Sequence, residues 1–298
     1  MITGATTAQL INGQVLADEV LGEAQQAVAK LSRQPKLVTI MVGDDAAMQY
    51  LANKQRMMAQ QVGIAFDLCQ LPVTTGKTKL VDLINQCNDG EATDAVAILM
   101  PPLGNLNPNY ILSTLRTDKD ANGLHPANVQ SLIDGRQSAP MSPLLKAIRT
   151  VLKVTDVELK GKRAVIIARS GEALSRPLTW LLQHRRLTVD LALPDSDNLG
   201  LKTRGADVLI TFSNRPGTIT RAMVKPGAVV IDGGMSWVGP KQWAGDVAPD
   251  VGQVASWLTP VPDGIGPVAV AMLMQNTIQL SRQRQRACLP NLAGNVSR

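Results

Sequence analysis

Residues Lys160–Pro177 read KGKRAVIIARSGEALSRP. Lys160-Gly161-Lys162 turns the chain into Arg163–Ala168, RAVIIA, a short apolar run of the kind buried on both faces of a parallel sheet. A loop follows, and a helix starts near Pro177, since proline is favoured in a first helical turn. Leu187–Ala192, Ala206–Thr211 and Ala228–Asp232 repeat the strand pattern. Short strands separated by helix-length spacers predict a parallel sheet of Rossmann type.

The upstream half has the same alternation. Val15, Leu16, Val20, Leu21, Ala24, Ala27, Val28 and Leu31 recur at three and four, which predicts an amphipathic helix. Leu37–Val42 is a strand, Ala46–Gln61 a helix stopped by Gly63, and Ile64–Leu71 a strand. Thr78–Cys87 is a helix and Ala95–Met100 a strand ended by Pro101-Pro102. Ser142–Lys153 is a helix between the halves, and Val268–Arg286 is a closing helix able to return to the first half. The fold class is therefore α/β in two parts, an N-terminal βαβ part and a C-terminal Rossmann-like part. A length of 298 residues exceeds one ordinary core. The expected division is residues 1–141 with 276–298, and 142–275.

Composition removes several function classes. Aromatic residues make up only 3%, too few for base-stacking platforms. Three scattered cysteines (Cys69, Cys87, Cys288) and two histidines give no disulfide framework and no zinc spacing, so no metal is expected. No apolar run approaches a membrane span, and the start lacks a basic and apolar leader, which predicts a cytoplasmic protein. The net charge of +6 suggests an anionic partner. Yet Arg282, Arg284, Arg286 and Arg298 supply four of the six excess charges. The excess is a solvated tail, and no nucleic-acid partner is expected.

Four motifs carry possible chemistry, each beside a plainer reading. Ile166–Arg176 holds one glycine, Gly171, so G-x-G-x-x-G is absent and the segment equally reads as an ordinary βα turn. Arg169 is there a phosphate ligand or an exposed arginine. Tyr50 and Lys54, four apart, share a helix face; the pair is an acid–base site or a solvated lysine beside a ring. Tyr110, the other tyrosine, falls in a loop-like region. Thr259–Pro267, TPVPDGIGP, is a stiff loop suited to a flat ligand or to a connector. Lys119–Pro126, KDANGLHP, is a polar turn.

As an ordered set the motifs resemble the bifunctional methylenetetrahydrofolate dehydrogenase/methenyltetrahydrofolate cyclohydrolase family. The resemblance runs from about Leu10 to Leu280. It rests on Ile11-Asn12-Gly13, Val42–Asp45, Tyr50-x-x-x-Lys54, Val62-Gly63-Ile64, Lys119-Asp120 through Asn128, Gly161–Val165, Arg169-Ser170, Lys225–Asp232, Gly245-Asp246-Val247, Thr259–Pro267 and Asn276-Thr277. It implies an N-terminal catalytic domain and a C-terminal dinucleotide-binding domain with a cleft between, a folate-like small-molecule substrate, NADP as cofactor and a homodimer. It implies Lys54 and Tyr50 as catalytic residues. It implies Tyr50, Met100, Asn122, Pro262, Asp263, Gly264, Gly266 and Pro267 around the substrate. Arg169, Ser170, Ser175, Arg176, Asn214 and Ile231 would lie at the cofactor.

Departures from the family pattern fall at these positions. Met100 stands for the family's glutamine and cannot hydrogen-bond the lysine. Asn122 stands for the pterin-binding aspartate and carries no charge. The loop after Ala168 is one residue longer, Ser175 stands near the family's last glycine, and Asn214 replaces another glycine. Asp195 lies where a ribose 2′-phosphate would meet like charge. Asp263 replaces a glycine and Ala269 a threonine. The resemblance thus implies a divergent member with reduced or redirected activity, the alternative being a scaffold kept for another ligand or partner.

Overall fold

The computed structural model describes residues 8–99, 107–136, 140–168, 173–239 and 242–287. It divides into two compact units, Met1–Asp18 with Leu144–Met272, and Glu19–Pro143 with Leu273–Arg298. The sequence had placed all of residues 1–141 in the first domain. The strand β1 (Gln9–Leu10) instead pairs in parallel with β11 (Trp257–Leu258), Gln9 opposite Trp257. A two-residue strand leaves no periodicity to read.

In the unit built around residues 19–143, three parallel strands lie in the order β3 (Ala65–Leu71), β2 (Lys36–Val42), β4 (Ala95–Ile98). Six of the seven β2 residues are buried, as a central strand covered on both faces requires. Val38, Ile40 and Val42 pack with Leu80 and Ile84 of α3 (Lys77–Asp89) and Ile111 of α4 (Pro108–Thr114). On the opposite pleat Met41 packs with Ala52 of α2 (Ala46–Val62). Helix α1 (Gly13–Val28) precedes this sheet in the chain, and α5 (Pro126–Ile133) follows α4. Tyr110 is helical, a correction to its loop reading. Pro108 at the helix start and the Asn107 side chain, which accepts from Tyr110 N at 3.2 Å, nucleate a seven-residue helix too short to show a period.

The other unit holds a six-stranded parallel sheet. Its order is β1, β11, β8 (Val229–Asp232), β7 (Val208–Thr211), β5 (Arg163–Ile167), β6 (Thr188–Ala192). Helix α6 (Pro143–Val154) leads into β5, α7 (Ser175–His184) connects β5 to β6, and α8 (Leu199–Thr203) connects β6 to β7. Val165, Ile167, Leu209 and Val230 form the centre of its core with Ala192, Leu199 and Val251. An antiparallel hairpin, β9 (Ser236–Gly239) and β10 (Gln242–Ala244), stands apart from the sheet pairing. Its Trp237 and Trp243 rings meet edge to face at 4.8 Å. The last helix, α9, runs Ile265–Ala287 and starts three residues before the sequence reading. Gly266 and Pro267 are thus in its first turn, where proline's missing N–H costs nothing. No helix among the described residues is long and apolar enough to cross a membrane.

The basic tail is also revised in part. Arg284 is half-buried, with Nε 3.7 Å from Asp94 and Nη1 3.7 Å from Asp118. Asp94 is fully buried and is already gripped by Arg33, whose two nitrogens donate at 2.8 and 2.6 Å. Burying a carboxylate demands this degree of compensation. Arg282 and Arg286 remain exposed.

Candidate active site

Helix α2 starts just past the carboxyl end of β2, where open α/β sheets place their ligands. The Asp45 carboxylate caps it, accepting from Ala47 N and Met48 N at 3.0 Å each. Gly63, at φ 82°, closes it in the left-handed conformation. Between these caps the buried face presents Ala52, Gln55, Met58, Ala59 and Val62. Tyr50 and Lys54 lie half-buried beside that face, and the Lys54 ammonium is 5.6 Å from the Tyr50 ring centroid, within cation–π reach. A neighbour that sequence reading missed fixes this geometry. Thr39, wholly buried on β2, donates its hydroxyl to Gln55 Oε1 at 2.7 Å. The buried bond sets the rotation of α2 one residue from Lys54. A threonine in the middle of LVTIMV was the available signal.

The polar turn after residue 118 continues the sheet. Val96 N donates to Lys119 O at 2.7 Å, and Ala121 N donates back to Val96 O at 3.0 Å. This places Asn122 at the carboxyl end of β4, where its Oδ1 accepts from Ile98 N at 2.8 Å. With Oδ1 so engaged, the amide presents its Nδ2 donor elsewhere. Asp120 supports the turn by accepting from His125 N at 2.8 Å and Asn128 Nδ2 at 3.0 Å. Burial pushes its carboxyl above the usual range. Asn276 of α9 donates to Ala121 O at 2.8 Å and Met141 O at 2.9 Å, which accounts for the Asn276 motif as a brace. Met100 lies outside the described residues.

The TPVPDGIGP loop and the Ile11-Asn12-Gly13 motif turn out to be partners within one unit. Gly13 N donates to Asp263 O at 2.9 Å. A methyl group on Gly13 would overlap the Gly264 carbonyl, and one on Gly264 would overlap Pro260 O. Pro262 is half-buried, Asp263 exposed and Pro267 buried. A recess of about 560 Å³ beside the clasp is lined by Leu10, Asn12, Gln14, Pro260 and Asp263.

The dinucleotide edge lies at the carboxyl ends of β6, β5 and β7. Ile167 is in register with both Ala192 and Thr211, so the three following loops start level. Helix α7 starts at Ser175 with Leu174 as its cap residue, and a leucine has no side-chain oxygen to offer the first N–H groups. Such an end suits a pyrophosphate. The Ser213 hydroxyl, fully buried at the start of the β7 loop, has no hydrogen-bond partner among the described residues. These features fit a dinucleotide. Asn214 sits at φ 51°, a left-handed conformation that asparagine tolerates, so the loop keeps a backbone shape suited to glycine. Its Oδ1 accepts from Met235 N at 3.2 Å. Ser175 is half-buried and Arg176 exposed, both in the first turn of α7. Ile231 needs correction as a cofactor residue. It is 0% exposed within β8 and has no surface to offer a ligand. Arg169 and Ser170 lie outside the described residues.

Beneath this edge lies a carboxylate pair not anticipated from sequence. Asp246 accepts from Thr211 Oγ1 at 2.7 Å, Ser213 N at 2.6 Å and Arg215 N at 2.8 Å. Asp232 accepts from Gly234 N, Asp246 N and Val247 N at 2.9–3.1 Å. Burial, with the neighbouring Asp246 charge adding to it, pushes Asp232 up to about 7 against these three N–H donors.

Comparison with known proteins agrees with both halves. Residues 11–122 match the tetrahydrofolate dehydrogenase/cyclohydrolase catalytic domain, and residues 142–285 match the NAD(P)-binding domain of the same enzymes. The bifunctional protein FolD of Syntrophotalea carbinolica is 37% identical over 287 residues, covering 94% of this chain and 98% of that protein. The crystal structure of the bifunctional FolD from Campylobacter jejuni superposes with a TM-score of 0.84 at 28% identity, covering 93% of this chain and 99% of that one. The Trypanosoma brucei FolD, solved with NADP cofactor and inhibitor, gives 0.85 at 27% identity, covering 93% and 98%. Two matched domains in the right order, with near-complete coverage of a relative above 30% identity, make this chain a member of the tetrahydrofolate dehydrogenase/cyclohydrolase family.

Proposed function

We propose that the chain oxidises methylenetetrahydrofolate to methenyltetrahydrofolate with NADP, and hydrolyses the product to formyltetrahydrofolate more slowly. The observation that carries this reading is Lys54 held beside Tyr50 on α2, inside the segment matched by the family's catalytic domain. Bound NADP supplies the hydride acceptor. Tyr50 offers a ring face to a flat pterin, and Lys54 positions the polar atoms of the reacting bridge. In the hydrolytic step water adds to the methenyl carbon and one carbon–nitrogen bond breaks. Lys54 relays the proton from that water to the departing nitrogen. Asn122 gives the pterin a hydrogen bond without a charge, which weakens support for the polarised ring. The oxidation depends on alignment more than on an acid or base, so it is the step less affected. The first turn of α7, with Ser175 and Arg176, and the Asn214 loop would hold the dinucleotide. A homodimer belongs to the same reading, and sedimentation checks it.

The decisive assay supplies methylenetetrahydrofolate and NADP to the intact chain and follows NADPH. Turnover is expected, and Lys54→Gln lowers hydrolysis of methenyltetrahydrofolate by about 100-fold. An unaltered chain that forms no NADPH above a protein-free blank would sink the reading.

A further inference from the structure

The loops that follow β6 and β7, the two strands flanking β5, are joined by one ion pair. Arg215 grips Asp195 with both terminal nitrogens, Nη1 on Oδ1 and Nη2 on Oδ2, the latter at 3.0 Å. The pair is exposed, 43% for the arginine side chain and 66% for the aspartate. Exposed pairs contribute little to folding stability, so this one opens readily for a ligand. The backbone under Arg215 is by contrast fixed. Its N–H donates to buried Asp246 at 2.8 Å, and its carbonyl accepts from Thr218 Oγ1 at 2.8 Å. The guanidinium is a mobile head on a rigid base.

NAD and NADP differ only at the adenosine ribose 2′ position. A 2′-hydroxyl donates to a carboxylate, and a 2′-phosphate needs a cation and is repelled by a carboxylate. In dinucleotide-binding sheets that position is read by an acidic residue or by an arginine near the strand after the first. Asp195 lies three residues past the end of β6, and it holds an arginine in its grip. Both chemistries are present and neutralise one another.

We propose that the Asp195–Arg215 pair sets the choice between the two dinucleotides: Arg215 is the cation for the 2′-phosphate, and Asp195 competes for it. The chain then accepts NADP but favours it over NAD far less than an unopposed arginine would. This rests on reading the β5–β7 edge as the NAD(P) site. The ratio of the two affinities is the diagnostic, because a loss of folding lowers both together.

The test is titration calorimetry of NAD and NADP against the intact chain, Asp195→Asn and Arg215→Gln. Asp195→Asn raises the NADP-to-NAD affinity ratio about tenfold, and Arg215→Gln lowers it about tenfold. The thermal midpoint without nucleotide stays unchanged in both. Binding of both nucleotides with the ratio unmoved in either variant overturns the role of the pair and leaves the site standing. Failure of the unaltered chain to bind either nucleotide overturns the site and this inference with it.

Discussion

Asn122 shows how much one atom can change. Its Oδ1 is committed to Ile98 N at 2.8 Å, so what remains is a neutral donor. Aspartate at this place keeps the bond to Ile98 and exchanges the donor for a charged acceptor. Asn122→Asp is therefore expected to raise hydrolysis of methenyltetrahydrofolate about tenfold, the worth of one charge-assisted hydrogen bond. Dehydrogenase turnover moves less. Decay of the methenyl chromophore measures the first, NADPH formation the second. The departure at Asn122 was legible in the sequence; which of its atoms is engaged was not, because the partner is a backbone group 24 residues away. Asn214 reads differently once its φ of 51° is known. Asparagine tolerates this left-handed backbone, so it fits where the resemblance implies a glycine.

Helix α3 illustrates the element scale. Its last carbonyls have no capping glycine in the left-handed conformation, since Gly90 is extended at φ −61°. Lys119, 0% exposed, takes that role from another segment, donating to Cys87 O at 2.8 Å, Asn88 O at 2.6 Å and Gly90 O at 2.8 Å. An ammonium at the negative end of a helix is favourable, and here it also satisfies three carbonyls. Lys119→Met strips these bonds and is expected to cost about 3 kcal/mol. The shift of the urea midpoint measures it, and a cost under about 1 kcal/mol would contradict the capping role. Helices and central strands were legible because their apolar spacing is long enough to declare a period. The strands β1 and β11, the hairpin β9–β10 and the short helix α4 were not, because each is specified by pairing or capping instead.

At the scale of the whole molecule, Asp232 makes stability depend on pH. Its carboxyl titrates near 7 in the folded chain and near the ordinary 3.8 when unfolded. Between those values the folded state holds a proton that the unfolded state has released. The contribution is present in full below pH 3.8 and is lost as pH rises through 7. Asp232→Asn is expected to flatten this dependence between pH 5 and 8, in urea midpoints taken across the interval, while lowering stability throughout. The absolute loss follows from Val247 N, which now donates to Asp232 Oδ2 at 2.9 Å and would face an amide. The two-domain α/β plan was visible from strand alternation and the ordered motifs. The carboxylate pair was not, since its members are fourteen residues apart and meet only through β8 and the hairpin.

That pair has a consequence for how the chain can change. A methyl group on Gly245 would overlap the Asp232 carboxylate, and one on Gly234 would overlap that of Asp246. Each aspartate occupies the room left by the other's glycine neighbour. Four positions therefore form one lock, and a route of single substitutions out of it begins with a step that costs folding. Positions open to solvent, such as Asp195 and Asp263, face no such barrier. A lineage descending from this sequence would then change at such open positions long before it altered the frame beneath them.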